Sequence, residues 1–198
     1  MYFSRFLLTV PRAPTIIGAT TTVFSDRSCL TSEVNCFGYT WNYKIYTGQE
    51  RLDHPAFTLA STDIVLLLNE ILFDKGYNIY MENWFSSPDL FLQLQAKRIN
   101  ACETVRMHRI NILPDLHKIK LQKGETAYRC TYSGIFSLVW SDKKNVCMLS
   151  MMHYASIEDT RKQDVDRNAI MKASVVVSYN EGMGGVDRSD QLATTHKS

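Results

Sequence analysis

DIVLLLNEILFDKGYNIYMENWFSSPDLFLQLQAKRINACETV, residues 63–105, switches twice between helical and extended patterning, and that switching decides the fold class. Ile64, Val65, Leu67, Leu68, Ile71 and Leu72 recur at three- and four-residue intervals and form a wide apolar stripe, as on a helix with one buried side. Thr62 or Asp63 can accept the first unpaired N–H groups, and Gly76 stands where a helix-ending glycine belongs. The spacing predicts a helix over 63–75. Tyr77–Met81 then reads as a short strand. Ser87-Pro88 opens a second helix, with Ser as cap and Pro in a first turn that does not need its N–H. Leu90, Phe91 and Leu94 give that helix its buried side, and Cys102–Val105 reads as the next strand. Helix, strand, helix, strand predicts a crossover unit around a sheet, an α/β or α+β class.

Working outward, Tyr39, Trp41, Tyr43 and Ile45 alternate along a predicted strand that ends at Thr47-Gly48. Residues 1–34 are rich in Thr, Ser and Pro and lack steady periodicity; only Thr15–Phe24 reads as a strand. On the other side, a basic stretch around Pro114 predicts loop. Ala127–Trp140 and Val146–Met152 predict two strands joined by a hairpin at 141–145. Residues 156–170 are polar and read as a surface loop, and Ser174–Ser178 as a last short strand. Gly182-Met183-Gly184-Gly185 reads as a turn, with a helix opening at Asp187. Trp84, Phe85 and Trp140 are expected in the core, and His153 in a structural or exposed place.

Composition sets bounds. With 198 residues, 45% of them apolar, the chain can bury one substantial core. Its 21% charged residues argue against wholesale disorder. Five cysteines, at 29, 36, 102, 130 and 147, form no C-x-x-C pair, which predicts neither a disulfide framework nor a zinc site and fits a reducing compartment. Phe6–Val10 is too short for a signal core, and no run approaches the roughly 20 apolar residues of a membrane helix. The expectation is a soluble intracellular protein with no membrane partner. The net charge of +2 decides nothing, but its distribution does. Lys97, Arg98, Arg106, Arg109, Lys118, Lys120 and Lys123 face only Glu103 and Asp115 within one stretch, with His108 and His117 beside them. Such a stripe can be a solvated face or can neutralise nucleic-acid phosphates.

Two acids stand in suggestive places. Glu82 follows a short apolar strand, and Asp187 follows a glycine run; only a fold can bring them together. On spacing alone they read as a strand-end acid and a helix cap, with Asp190 a first-turn charge favoured by the helix dipole.

The residues around these acids say more. Tyr43–Gly48, Lys75-Gly76-Tyr77, Met81–Pro88, Ala101–Arg106 with Arg109, Trp140–Val146, and Ser178-Tyr179-Asn180 with Gly182–Gln191 occur in the order of the transposase domain of the piggyBac family. From about Phe37 to Gln191 the chain resembles that family. The resemblance implies an RNase H-like mixed sheet flanked by helices, incomplete, with an inserted β-rich segment: a divergent segment at 1–34 and a partial transposase domain at 35–198. It implies DNA as partner, self-association, nuclear residence, and Mg²⁺ held by three aspartates that serve strand cutting and joining. Carried over by position, the second aspartate falls on Glu82 and the third on Asp187, with Asp190 at a nearby acidic position. The first falls within residues 1–34, where Asp26 and Glu33 are the only acids and neither sits in a matching motif.

Two departures bear on activity. Glu82 replaces an aspartate, and its extra methylene displaces the carboxylate by over an ångström, a misplacement that can cost about 10²-fold. A first ligand is missing, and two divalent ions about 3.5–4 Å apart need carboxylates to offset their charge. Glu103 also stands where the family has Gly, and Ala173 where it usually has Pro. The resemblance stops within the helix after Asp187, short of the family's C-terminal cysteine-rich module. The leading expectation is a transposable-element-derived protein, catalytically defective, with residual DNA binding through Lys97–Lys123. The alternatives are an active metal-dependent strand transferase, and a protein-interaction module or decayed copy.

Overall fold

The computed structural model describes residues 3–10, 13–25, 28–35, 40–46, 60–85, 87–106, 115–163 and 167–195. Strands β1 (Phe3–Val10), β2 (Ala13–Ser25), β3 (Ser28–Asn35) and β4 (Thr40–Tyr46) lead into helix α1 (Ala60–Asn69), extended by a 3-10 turn at Glu70–Leu72. Then follow β5 (Asn78–Met81), α2 (Pro88–Ala96) and β6 (Asn100–Val105). Strands β7 (Thr126–Cys130), β8 (Phe136–Ser141) and β9 (Asn145–Ser150) come next, then β10 (Ile157–Gln163), β11 (Ala169–Ala173) and the long helix α3 (Ser174–Thr195).

Nine strands make one mixed sheet in the order β4-β3-β2-β1-β5-β6-β9-β8-β7, and β10 and β11 pair separately. The predicted crossover is present: β5 and β6 run parallel, joined through α2, with Met81 opposite Glu103. Ser87 occupies the N-cap position of α2 without a side-chain cap hydrogen bond, Pro88 is its first residue, and Leu90, Phe91 and Leu94 are buried. The other edge of β5 is covered by β1, antiparallel, with Phe6 opposite Met81. The N-terminal strands thus belong to the sheet, with Thr15–Phe24 inside β2; one further parallel bridge links Leu7 to Val34.

Side-chain alternation builds three layers. Ile79, Met81, Ala101, Val105, Val139, Cys147 and Leu149 join Val65, Leu72, Leu90, Phe91 and Leu94 in a core on the α1–α2 side. Tyr80, Cys102, Phe136, Leu138, Trp140 and Met148 join Val175, Val176, Met183 and Val186 in a second core under α3. With both faces covered, β8 is buried at all six residues.

Several sequence expectations change. Ala127–Trp140 is two strands, turned at Gly134, whose φ is +82°. Most of the polar stretch 156–170 lies in the β10–β11 hairpin, exposed along most of its length. Ser174–Ser178 is helix, and α3 runs straight through Gly182–Gly185. The β-branched run favours a strand locally, but Val175, Val176, Met183 and Val186 fall on one helical stripe that the sheet buries. Trp84 is 58% exposed, whereas Phe85 and Trp140 are core as expected. The α1 segment ends earlier, with Asp74 (φ 63°) turning the chain before Gly76 (φ +75°). Arg109 and His108 lie outside the described residues.

Candidate nucleic-acid interface

The β5–α2–β6 unit places its chemistry-bearing residues by direction. Because β5 and β6 are parallel, both strands end at the same edge of the sheet. Glu82 follows β5 there, half-buried, and the chain turns at once, with the Phe85 N–H donating to the Glu82 carbonyl at 3.2 Å. Arg106 follows β6, and its Nε donates to Asn83 Oδ1 at 3.0 Å, tying the two strand ends together. Trp84 stands exposed beside them.

The α3 face meets this edge through tyrosines. The Tyr80 and Ser178 hydroxyls lie 2.6 Å apart, and the Tyr80 and Tyr179 rings meet edge-on at 6.4 Å. Burial pushes the Tyr179 phenol well above its ordinary range; a hydrogen bond with Thr104 opposes that, and the charges of Glu82, Cys102 and Glu103 add to it. Asp187 lies eight residues farther along α3, about 12 Å at 1.5 Å per residue, and is exposed. Asp190 is on the same helix.

Glu103 faces the other way. It alternates with Ala101 and Val105 on the α1–α2 side, fully buried, between Met81 of β5 and Leu149 of β9. Its φ is not positive, so an ordinary strand conformation accommodates a side chain where the family has Gly. Ala173 is buried at the end of β11.

The strands flanking β5 are β1, which contains no acid, and β6, whose Glu103 points away from the Glu82 face. Glu33 lies on β3, beside Val34, which bridges directly to Leu7 of β1; Asp26 lies outside the described residues. Among the described residues, no three His, Cys, Asp or Glu are grouped to hold a metal ion.

The basic stripe is divided by the fold. Lys97 and Arg98 follow α2 and lie where β6 begins, with the Lys97 carbonyl accepting from Asp74 N–H at 2.8 Å and the Lys97 ammonium 5.3 Å above the Phe73 ring. Arg106 lies at the far end of β6, about 20 Å away at 3.3 Å per residue. Lys123 is at the Arg106 end, where the Gly124 N–H donates to the Ser141 carbonyl at 2.7 Å. Lys118 and Lys120 are exposed on the segment leading to it. Lys143 and Lys144 stand in the predicted hairpin but outside the basic stripe, and Tyr179 stands in the Ser178-Tyr179-Asn180 motif, which gave it no role of its own.

Comparison with known proteins agrees with this architecture. A family model described as Transposase IS4 matches residues 18–198. The human protein PiggyBac transposable element-derived protein 3 is 26% identical over 167 residues, covering 79% of this chain and 28% of that protein. The human Chimeric ERCC6-PGBD3 protein is 26% identical over 167 residues, covering 79% of this chain and 16% of its own length. The chain thus spans less than a third of these relatives. A cryo-EM structure of a piggyBac transposase synaptic complex with hairpin DNA superposes with a TM-score of 0.70 at 20% identity, covering 97% of this chain and 39% of that one. That likeness establishes the fold, an α/β mixed sheet of the RNase H-like kind.

Proposed function

The chain belongs to the transposase IS4 family, and from that membership we propose that it is a transposable-element-derived protein that binds DNA and is impaired in cutting it. The observation that carries the second half is the make-up of the strands beside Glu82. A shared divalent ion needs oxygens within about 2.0–2.6 Å of it, and β1 brings no acid while Glu103 of β6 faces the opposite core. Glu82 itself stands where the family's chemistry uses aspartate. DNA binding rests on the edge where Arg106, Lys123, Lys120 and the exposed Trp84 meet solvent. The same reading gives the protein a nuclear residence beside its DNA partner.

Two measurements test it. Anisotropy of a labelled DNA duplex should show binding that weakens as salt rises, with a log–log slope of about −0.9 per phosphate contact. Salt-independent binding would count against the interface. Incubation with Mg²⁺ or Mn²⁺ should leave the strands intact. Cleavage that disappears in Asp187→Ala would establish an active enzyme instead.

A further inference from the structure

We propose that the β8–β9 hairpin loop, with Lys143 and Lys144 at its tip, is a phosphate-backbone anchor for a DNA duplex lying across the Glu82 end of the sheet; this rests on the DNA-binding reading above. Sheet register places it there. Ser141 opposes Asn145 across β8 and β9, and Val105 of β6 opposes Cys147 of β9. The loop Asp142-Lys143-Lys144 therefore projects from the same end as Arg106 and Glu82, not from the end that holds Lys97 and Arg98. Two to three strand spacings, about 10–14 Å at 4.8 Å each, separate it from β5. That span covers about three to four phosphates of one strand at 3.4 Å rise each.

The loop is exposed and its base is fixed. Asp142 N–H donates to the Lys144 carbonyl at 3.3 Å, and Ser141 N–H donates to the Glu125 carbonyl at 3.0 Å. The adjoining turn is clamped as well: the Glu125 carboxylate accepts from Gln122 N–H at 2.7 Å, and Gly124 takes a φ of +89°. Lys123 is thereby presented beside Lys143 and Lys144. Among the described residues, the acids at this end include Glu82, Glu125 and Asp142. Glu125 is engaged by the turn it closes, and Asp142 shares the loop with two lysines. Arg106, Lys123, Lys143 and Lys144 come from three separate segments, so only the fold makes them one surface. The turns that hold them reduce the cost of ordering a loop on binding.

The test compares variants of the full chain on a short blunt DNA duplex, reading affinity against salt. Lys143→Gln/Lys144→Gln should weaken binding and flatten the log–log salt slope by about two, one per lost phosphate contact. Arg129→Gln/Lys162→Gln removes the same charge from exposed sites elsewhere and should leave the slope unchanged. Matched thermal transitions confirm that both variants are folded. An unchanged slope in the Lys143/Lys144 variant, with salt-dependent binding in the unaltered chain, overturns the anchor and leaves the DNA-binding reading standing. An equal loss in the Arg129/Lys162 variant overturns it too, by showing a net-charge effect. Failure of the unaltered chain to bind defeats the DNA-binding reading, and the anchor with it.

Discussion

Ser150 and His153 form a small polar knot at the end of β9. Ser150 Oγ lies 2.7 Å from His153 Nδ1 and accepts from the Met152 N–H at 3.1 Å. Burial lowers the His153 pKa, because the charged imidazolium loses hydration. A base with a depressed folded pKa takes up its proton more readily in the unfolded chain. Stability is thus unaffected above the unfolded value, near 6.5, and falls as pH drops below it, levelling off once the folded pKa is passed. Thermal unfolding followed from pH 7.5 downward should show a fall in Tm setting in near that value, and His153→Gln should remove that component. An identical pH profile in the variant would dismiss His153 as its source. Phe85 and Trp140 were correctly placed in the core, but Trp84 is exposed because the chain turns as soon as β5 ends, and the turn sends neighbouring side chains opposite ways. Its size and hydrophobicity carry no information about that turn.

Elements whose periodicity agrees with their local preferences were legible in outline. α2 announced its first-turn proline and its buried side, and both are present; Ser87 holds the cap position but makes no side-chain cap hydrogen bond. Phe91 is fully buried in the α1–α2 core, so Phe91→Ala should cost about 3–5 kcal/mol in denaturant unfolding. A cost below about 1 kcal/mol would mean that α2 does not pack as described. α3 was not legible, because each local signal contradicts the helix: β-branched residues at its start, then three glycines within four residues. Tertiary burial overrides them, with Met183 and Val186 held in the second core. That conflict leaves room for improvement. A Cβ added at Gly184 meets nothing within 4 Å, and its φ is not in the left-handed region. Gly184→Ala should therefore stabilise the chain by about 0.5–1 kcal/mol, by restricting the unfolded backbone. A lowered denaturation midpoint would show that α3 is bent or crowded at that residue.

At the scale of the molecule, the sheet owes its continuity to the segment that sequence motifs describe least. β1 lies between β2 and β5, pairing Leu8 with Ile17 on one side and with Ile79 on the other. Without it, the edge of β5 beside Glu82 stands open, and an open edge is a template for association. The quoted motifs begin at Tyr43, whereas the family match begins at residue 18, within β2; strand pairing depends on register and turn closure, which leave fainter traces than a motif. The assignment of Glu82 and Asp187 rests on position in the motifs alone; the topology adds that the neighbouring strand β1 contributes no acid. Leu8→Pro tests the closure directly. Proline removes a donor from a strand paired on both sides, and an unsatisfied buried partner costs about 1–3 kcal/mol. The variant should show a lower Tm and concentration-dependent oligomers on size exclusion, because β5 is then exposed for pairing. If Tm and elution volume match those of the unaltered chain, β1 does not close the sheet at β5, and the argument that Glu82 lacks a neighbouring ligand strand loses its footing.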